Sequence, residues 1–194
     1  MFNESLQAHT LLDEFERLKA APFGQTPDFP VPDGFDEIVI TYDGRERMEL
    51  PIPVRKDGKC CLIATDGSGK VLSECKYDLL FREPFVEWVN YIALKDGKYG
   101  ILDIDGREVV PCVMDAIYER QDPDGVLPLE KDGLWGIYAD DEAYIYPRFD
   151  ELEIYSEDYI RVRSGDLWGW LDAAGNLTTD KSQAFYGSWY DAEK

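Results

Sequence analysis

Two hydrophobic rhythms divide the chain. Between Asn3 and Ala21 the apolar residues Leu11, Leu12, Phe15 and Leu18 fall at i, i+1, i+4 and i+7, which is one face of a helix. Asn3 or Ser5 can cap it, Glu4 suits its positive end and Lys19 its negative end. Pro22 and Gly24 stop it, and the stretch from Pro22 to Gly34 holds four prolines. The pattern predicts an N-terminal helix and Pro-rich linker over residues 1–34, its apolar face docked on an edge or end of the β part of the chain. From about Phe35 the period drops to two. Short runs such as Tyr91-Ile92-Ala93-Leu94 and Tyr99-Gly100-Ile101-Leu102 alternate with Asp-Gly turns, among them Asp96-Gly97 and Asp105-Gly106. Asp-Gly between alternating runs is the strongest local hairpin signal, because tight hairpin turns need residues with positive φ. Residues 35–194 are therefore expected to form an all-β domain of antiparallel meanders.

The hairpins repeat. Lys56-Asp57-Gly58-Lys59-Cys60-Cys61 aligns with Lys95-Asp96-Gly97-Lys98-Tyr99-Gly100, with Lys131-Asp132-Gly133-Leu134-Trp135-Gly136 and with Ser164-Gly165-Asp166-Leu167-Trp168-Gly169. Their last positions, 61, 100, 136 and 169, are 39, 36 and 33 residues apart. Each block is followed by a second turn: Asp66-Gly67-Ser68-Gly69, Asp105-Gly106, Asp140-Asp141-Glu142 and Ala174-Gly175-Asn176. Three units then reach an apparent closing element, Tyr77-Asp78-Leu79-Leu80, Met114-Asp115-Ala116-Ile117 and Phe149-Asp150-Glu151-Leu152. Phe35-Asp36-Glu37-Ile38 matches that ending and suggests a half-unit upstream. A glycine inside a strand marks close approach by another group, here expected to be an indole from a neighbouring strand. Trp135 and Trp168 are then core contacts.

These blocks resemble the WG-repeat (KWG-repeat) family of bacterial β-rich repeat proteins. The resemblance spans roughly residues 54–180. Trp135-Gly136 and Trp168-Gly169 carry the signature dipeptide, Tyr99-Gly100 is a near variant, and Cys60-Cys61 departs from it. It implies tandem meanders, open or arranged like propeller blades, about four units with an aromatic C-terminal cap. It also implies a scaffold with a binding role, and it transfers no catalytic residue.

Charge narrows the partners. Forty Asp and Glu face 20 Lys and Arg, a formal net charge of -20. Such a surface repels nucleic-acid phosphates and anionic membranes, and attracts and steers basic proteins. The first 21 residues lack the basic and apolar regions of a secretory signal, and no stretch reaches the ~20 apolar residues of a membrane span. The expected location is cytoplasmic. Cys60, Cys61, Cys75 and Cys112 show no metal-ligand spacing with the single His9. They are expected to be reduced and to pack as small apolar residues. Cys75 and Cys112 hold equivalent places, three residues before Asp78 and Asp115.

Candidate chemistry is sparse. Asp103-Ile104-Asp105-Gly106 and Asp122-Pro123-Asp124-Gly125 open like calcium loops but lack the third oxygen ligand and the later bidentate Glu. There is no Gly-x-Ser-x-Gly elbow and no phosphate-binding glycine loop. No catalytic, cofactor or metal residue is assigned, and no cofactor is expected. The run Phe185-Tyr186-Gly187-Ser188-Trp189-Tyr190 is either a closing cap or an aromatic anchor. The expected function is a non-enzymatic acidic protein-binding module, in its sharper form an immunity-type inhibitor that neutralises a basic toxin or effector. Partner-binding candidates are Asp122, Asp124, Asp140, Asp141, Glu142, Trp189 and Tyr190. The alternatives are a structural scaffold and a hydrolase using acidic residues.

Overall fold

The computed structural model describes residues 31–39, 50–82, 90–118, 126–139, 143–155, 159–172 and 174–184. The expected N-terminal helix lies outside them. Among the described residues the regular structure is antiparallel β, plus one 3-10 turn at Lys181–Gln183.

Four sheets succeed one another along the chain. The first holds β1 (Glu37–Ile38), β2 (Ile52–Lys56) and β3 (Lys59–Ile63). A less regular segment completes it through the bridges Ile63↔Val71 and Cys60↔Tyr77. The second is β4 (Leu79–Arg82), β5 (Tyr91–Lys95), β6 (Lys98–Leu102) and β7 (Glu108–Met114). The third is β8 (Ala116–Ile117), β9 (Leu127–Lys131), β10 (Leu134–Ala139) and β11 (Ala143–Phe149). The fourth is β12 (Glu151–Tyr155), β13 (Tyr159–Ser164), β14 (Leu167–Leu171) and β15 (Leu177–Thr178). Order in each sheet equals order in sequence, so every sheet is a simple meander. Among the described residues no ladder joins one sheet to another.

The Tyr/Phe-Asp-x-Leu/Ile element does not close a unit. It opens the next sheet: β1, β4, β8 and β12 each begin immediately after Asp36, Asp78, Asp115 or Asp150. The sequence repeat and the sheet are thus out of phase by one strand.

The described residues fall into two compact units, one ending at Met114 and the other beginning at Asp115. In the first unit, Cys60, Leu62 and Tyr77 of the first sheet pack on Leu80, Tyr91, Ala93 and Leu102 of the second. Tyr91 Oη donates to the Pro51 carbonyl at 2.6 Å, and Tyr77 Oη donates to Glu108 Oε1 at 2.8 Å, pinning the two sheets. In the second unit, Ile137, Ala139, Ile145 and Phe149 of the third sheet pack on Leu152, Ile160, Val162 and Leu171 of the fourth. Each core thus comes from strands whose alternate residues face one neighbouring sheet.

Candidate functional site

All seven partner-binding candidates lie outside the described residues. Asp122 and Asp124 belong to the connection between β8 and β9. Asp140, Asp141 and Glu142 belong to that between β10 and β11, and Trp189 and Tyr190 to the C-terminal tail.

The described part of the surface is built around the central hairpin turn of each sheet. Asp57 and Gly58, Asp96 and Gly97, and Asp132 and Gly133 all have positive φ, from 50° to 77°, the geometry of a type I′ turn. The fourth turn places Gly165 first, at φ 59°, and Asp166 is not in the left-handed region. Only the leading residue needs the freedom of glycine there, as in a type II′ turn. Every turn is held by the aspartate that precedes its sheet's first strand. Asp36 Oδ2 accepts from the Asp57 amide at 2.8 Å, and Asp78 Oδ2 from the Asp96 amide at 2.7 Å. Asp115 Oδ2 accepts from the Asp132 amide at 2.6 Å, and Asp150 Oδ2 from the Gly165 amide at 2.7 Å. The backbone amides of the same four aspartates donate to Arg55, Leu94, Glu130 and Arg163 carbonyls at 2.8 to 2.9 Å. In the first and fourth sheets an arginine reinforces the pairing: Arg55 Nε meets Glu37 at 2.6 Å, and Arg163 Nη2 meets Glu151 at 2.5 Å.

This arrangement sorts the carboxylates into two kinds. Asp36, Asp78, Asp115 and Asp150 are spent on the fold. The Lys59 ammonium, and then the Asp96 amide, hold the Asp78 carboxyl below the ordinary carboxylate range. Asp57, Asp96, Asp132 and Asp166, by contrast, are exposed at the hairpin tips. In the sequence the Lys-Asp-Gly blocks read as turn punctuation only. The alignment of the blocks is itself the signal that marks their aspartates as a repeated display.

The second turns are also explained by turn chemistry. Asp103 Oδ1 accepts from the Arg107 amide at 2.8 Å, and the Gly106 amide donates to the Asp103 carbonyl at 3.0 Å. Asp172 does the same with Asn176 at 2.7 Å and Gly175 at 2.9 Å. Among the described residues no group of three or more His, Cys, Asp or Glu is placed to hold a metal ion.

Aromatic side chains mark two further surfaces, both in the second unit. Tyr144 and Tyr146 point outward from the edge strand β11, edge to face at 6.4 Å. On the outer face of the fourth sheet, Arg161 lies 4.8 Å over the Trp168 ring and Lys181 5.2 Å over the Trp170 ring. Trp135 meets the expectation of a core contact, packing against the cluster between the third and fourth sheets. Trp168 does not, because it faces away from that cluster, beside Arg163 on the neighbouring strand.

The indole expected over each glycine is corrected as well. A Cβ on Gly100 would come within 2.7 Å of the Val110 carbonyl oxygen, on Gly136 within 2.3 Å of the Ile145 oxygen, and on Gly169 within 2.5 Å of the Thr178 oxygen. The intruder is the sheet's fourth strand: backbone at Gly136, backbone with the Cys112 sulfur at Gly100, and the Leu177 side chain with the Thr178 carbonyl at Gly169. In the second and third sheets the strand register shifts at that point, between Tyr99 and Ile101 and between Trp135 and Ile137. Such irregularities push one strand toward its neighbour, and only glycine leaves room.

The geometry defines a class: a tandem array of antiparallel meanders, one of three strands and three of four, each with an aspartate-held hairpin and, in the four-stranded ones, a glycine under the last strand. Residues 145–168 match the family described as WG containing repeat, which supports a WG-repeat assignment by one matched repeat. That stretch starts in β11 and ends in β14, crossing from one sheet to the next as the phase offset requires. No curated protein and no solved structure matches the chain.

Proposed function

We propose that this protein is an acidic protein-binding module that engages a basic partner, in its sharper form an immunity-type inhibitor of a basic toxin or effector. The observation that carries the reading is the net charge of -20. The exposed Asp57, Asp96, Asp132 and Asp166 support it as carboxylates presented on tight hairpin turns, Asp57 and Asp96 flanked by lysines and Asp132 ion-paired with Lys131. Charges on tight turns meet a basic rim with little ordering cost and act mainly on the association rate. The chain stays in the cytoplasm in this reading.

The test is capture of a defined panel of basic proteins, including nucleases, on immobilised protein, with sodium chloride raised from 50 to 300 mM. We expect binding to at least one basic partner, an association rate that falls steeply with salt, and a further fall of roughly tenfold when the four tip aspartates become asparagine. Absence of binding, or binding that ignores both salt and the substitutions, overturns the proposal.

A scaffolding role is the second reading. It is favoured by the outer face of the fourth sheet, where Trp168 and Trp170 lie beneath cationic side chains rather than in the core.

A further inference from the structure

The first sheet breaks the glycine rule. The place of Gly100, Gly136 and Gly169 is taken by Cys61, which is 0% exposed. It pairs with Val54 and faces the cluster of Ile52, Val54 and Ile63. A Cβ at the equivalent position in the second sheet would sit 2.8 Å from Cys112 Sγ as well as against backbone. Cys75 holds the place of Cys112 in the repeat. In the first sheet the two positions are bonded: Cys61 and Cys75 form a disulfide with Cα atoms 4.2 Å apart, across 14 residues of chain. The expectation of four reduced cysteines is thereby corrected, and Cys60 and Cys112 are the two free ones. The pairing arises because a side chain at the glycine position points straight at the segment that elsewhere crosses over it.

We propose that Cys61–Cys75 is a reversible thiol-redox site, unique to the first sheet among those described, in which a covalent bond takes over from the glycine contact and is opened by dithiol reductants of the thioredoxin class. A reductant thiolate attacks Sγ of Cys75, the partly exposed partner, and the Cys61–Cys75 bond breaks. Cys61 leaves as a thiolate and takes a proton. The second reductant thiol then displaces Cys75 from the mixed disulfide. Two electrons and two protons pass to the protein, and the reductant becomes its own disulfide. A disulfide oxidant runs the sequence backward.

Opening has a local structural result. The two sulfurs must part to contact distance, and the Cys61 side chain then presses on the segment opposite, as a Cβ would at Gly100. That segment, 70–77, is tied to β3 by few backbone bonds. The Ala64 amide donates to the Lys70 carbonyl at 2.9 Å, the Leu72 and Ser73 amides to the Leu62 carbonyl at 2.7 and 3.4 Å, and Cys60 and Tyr77 exchange bonds of 2.7 and 3.3 Å, while the Leu62 amide donates to Ser73 Oγ at 2.9 Å. The free thiols do not compete for the bond. Cys60 lies on the other face of β3 and donates weakly to the Asp78 carbonyl at 3.8 Å. Burial, then Glu108, raises Cys112 to about 11, so it stays protonated at neutral pH.

The test uses the full chain. Thiol titration in denaturant should give two thiols per chain after exposure to a disulfide buffer and four after a dithiol reductant applied to the folded protein. Reduction should lower the thermal midpoint by about 10 °C. The variant Cys61→Gly restores the repeat's own solution, so its midpoint should ignore the reductant and exceed that of Cys61→Ala, which keeps a Cβ without a bond. Four thiols under oxidising buffer, a disulfide that resists dithiol until the protein unfolds, or equal midpoints for Cys61→Gly and Cys61→Ala would each overturn the proposal.

Discussion

One aspartate per sheet does most of the local organising. A two-residue turn leaves its leading amide pointing outward, and in all four sheets that amide is claimed by a carboxylate 15 to 21 residues earlier. The bond ties the first strand to the hairpin between the second and third strands, so it acts on the sheet rather than on the turn alone. Asp78 adds an ion pair with Lys59, and its carboxyl is held low. A group with a depressed folded value stabilises the protein above its unfolded value, near ~3.9, and loses that contribution as pH falls through the folded value. Asp78→Asn should therefore lower the urea midpoint at pH 7. The gap to the wild type should begin to narrow below about pH 4 and close at more acid pH. A gap that is constant from pH 7 to pH 2 would show that the charge on Asp78 plays no part. Tyr77 and Glu108 make a related contact. Burial raises Glu108, but the Lys76 ammonium and the Tyr77 hydroxyl outweigh it and leave that carboxyl below its ordinary value.

At the scale of the element, each complete meander is three regular strands and a fourth that crosses in over a glycine. Gly136→Ala places a methyl 2.3 Å from the Ile145 carbonyl and 2.7 Å from the Pro147 nitrogen, both backbone atoms that cannot swing aside. It should cost about 2–3 kcal/mol or more, the range of overpacked sites. Gly133→Ala, three residues away, meets nothing within 4 Å and suffers only from its φ of +75°, about 1 kcal/mol. Chemical denaturation of the pair separates crowding from backbone conformation, and similar costs would refute the crowding account. The hairpins are legible in the sequence because Asp57-Gly58 and its equivalents state their φ requirement locally. The crossing strand is not, because a register shift between Trp135 and Ile137 depends on strand pairing that no local pattern encodes. The same blindness hides the Cys61–Cys75 bond. The equivalence of Cys75 with Cys112 is visible, but not that the repeat turns this position toward the glycine. The element Met114-Asp115-Ala116-Ile117 is recognisable from sequence but falls to the wrong sheet, since its partner strand lies ahead in the chain.

For the whole molecule, charge dominates. Most ion pairs among the described residues have at least one solvent-exposed partner, and pairs open to solvent contribute about 0–1 kcal/mol each. A net charge of -20 works against compactness over the entire surface. Screening should therefore help more than it harms. Raising sodium chloride from 50 to 500 mM should increase the thermal midpoint by on the order of 3–5 °C. A decrease would mean that attractive pairs outweigh the general repulsion. The binding candidates named from sequence fall on connections and the tail, outside the described residues. What the fold adds is the set of tips at Asp57, Asp96, Asp132 and Asp166, legible as turns but not as a display until the hairpins of successive sheets are compared. The one-strand offset between sequence repeat and sheet has a consequence for how such chains lengthen. A tandem duplication of 33–39 residues yields one additional complete sheet wherever its breakpoints fall, because the missing strand on one side is supplied by the surplus strand on the other. Copy number can thus drift without regard to phase, and only the two ends of the array feel where the cut was made.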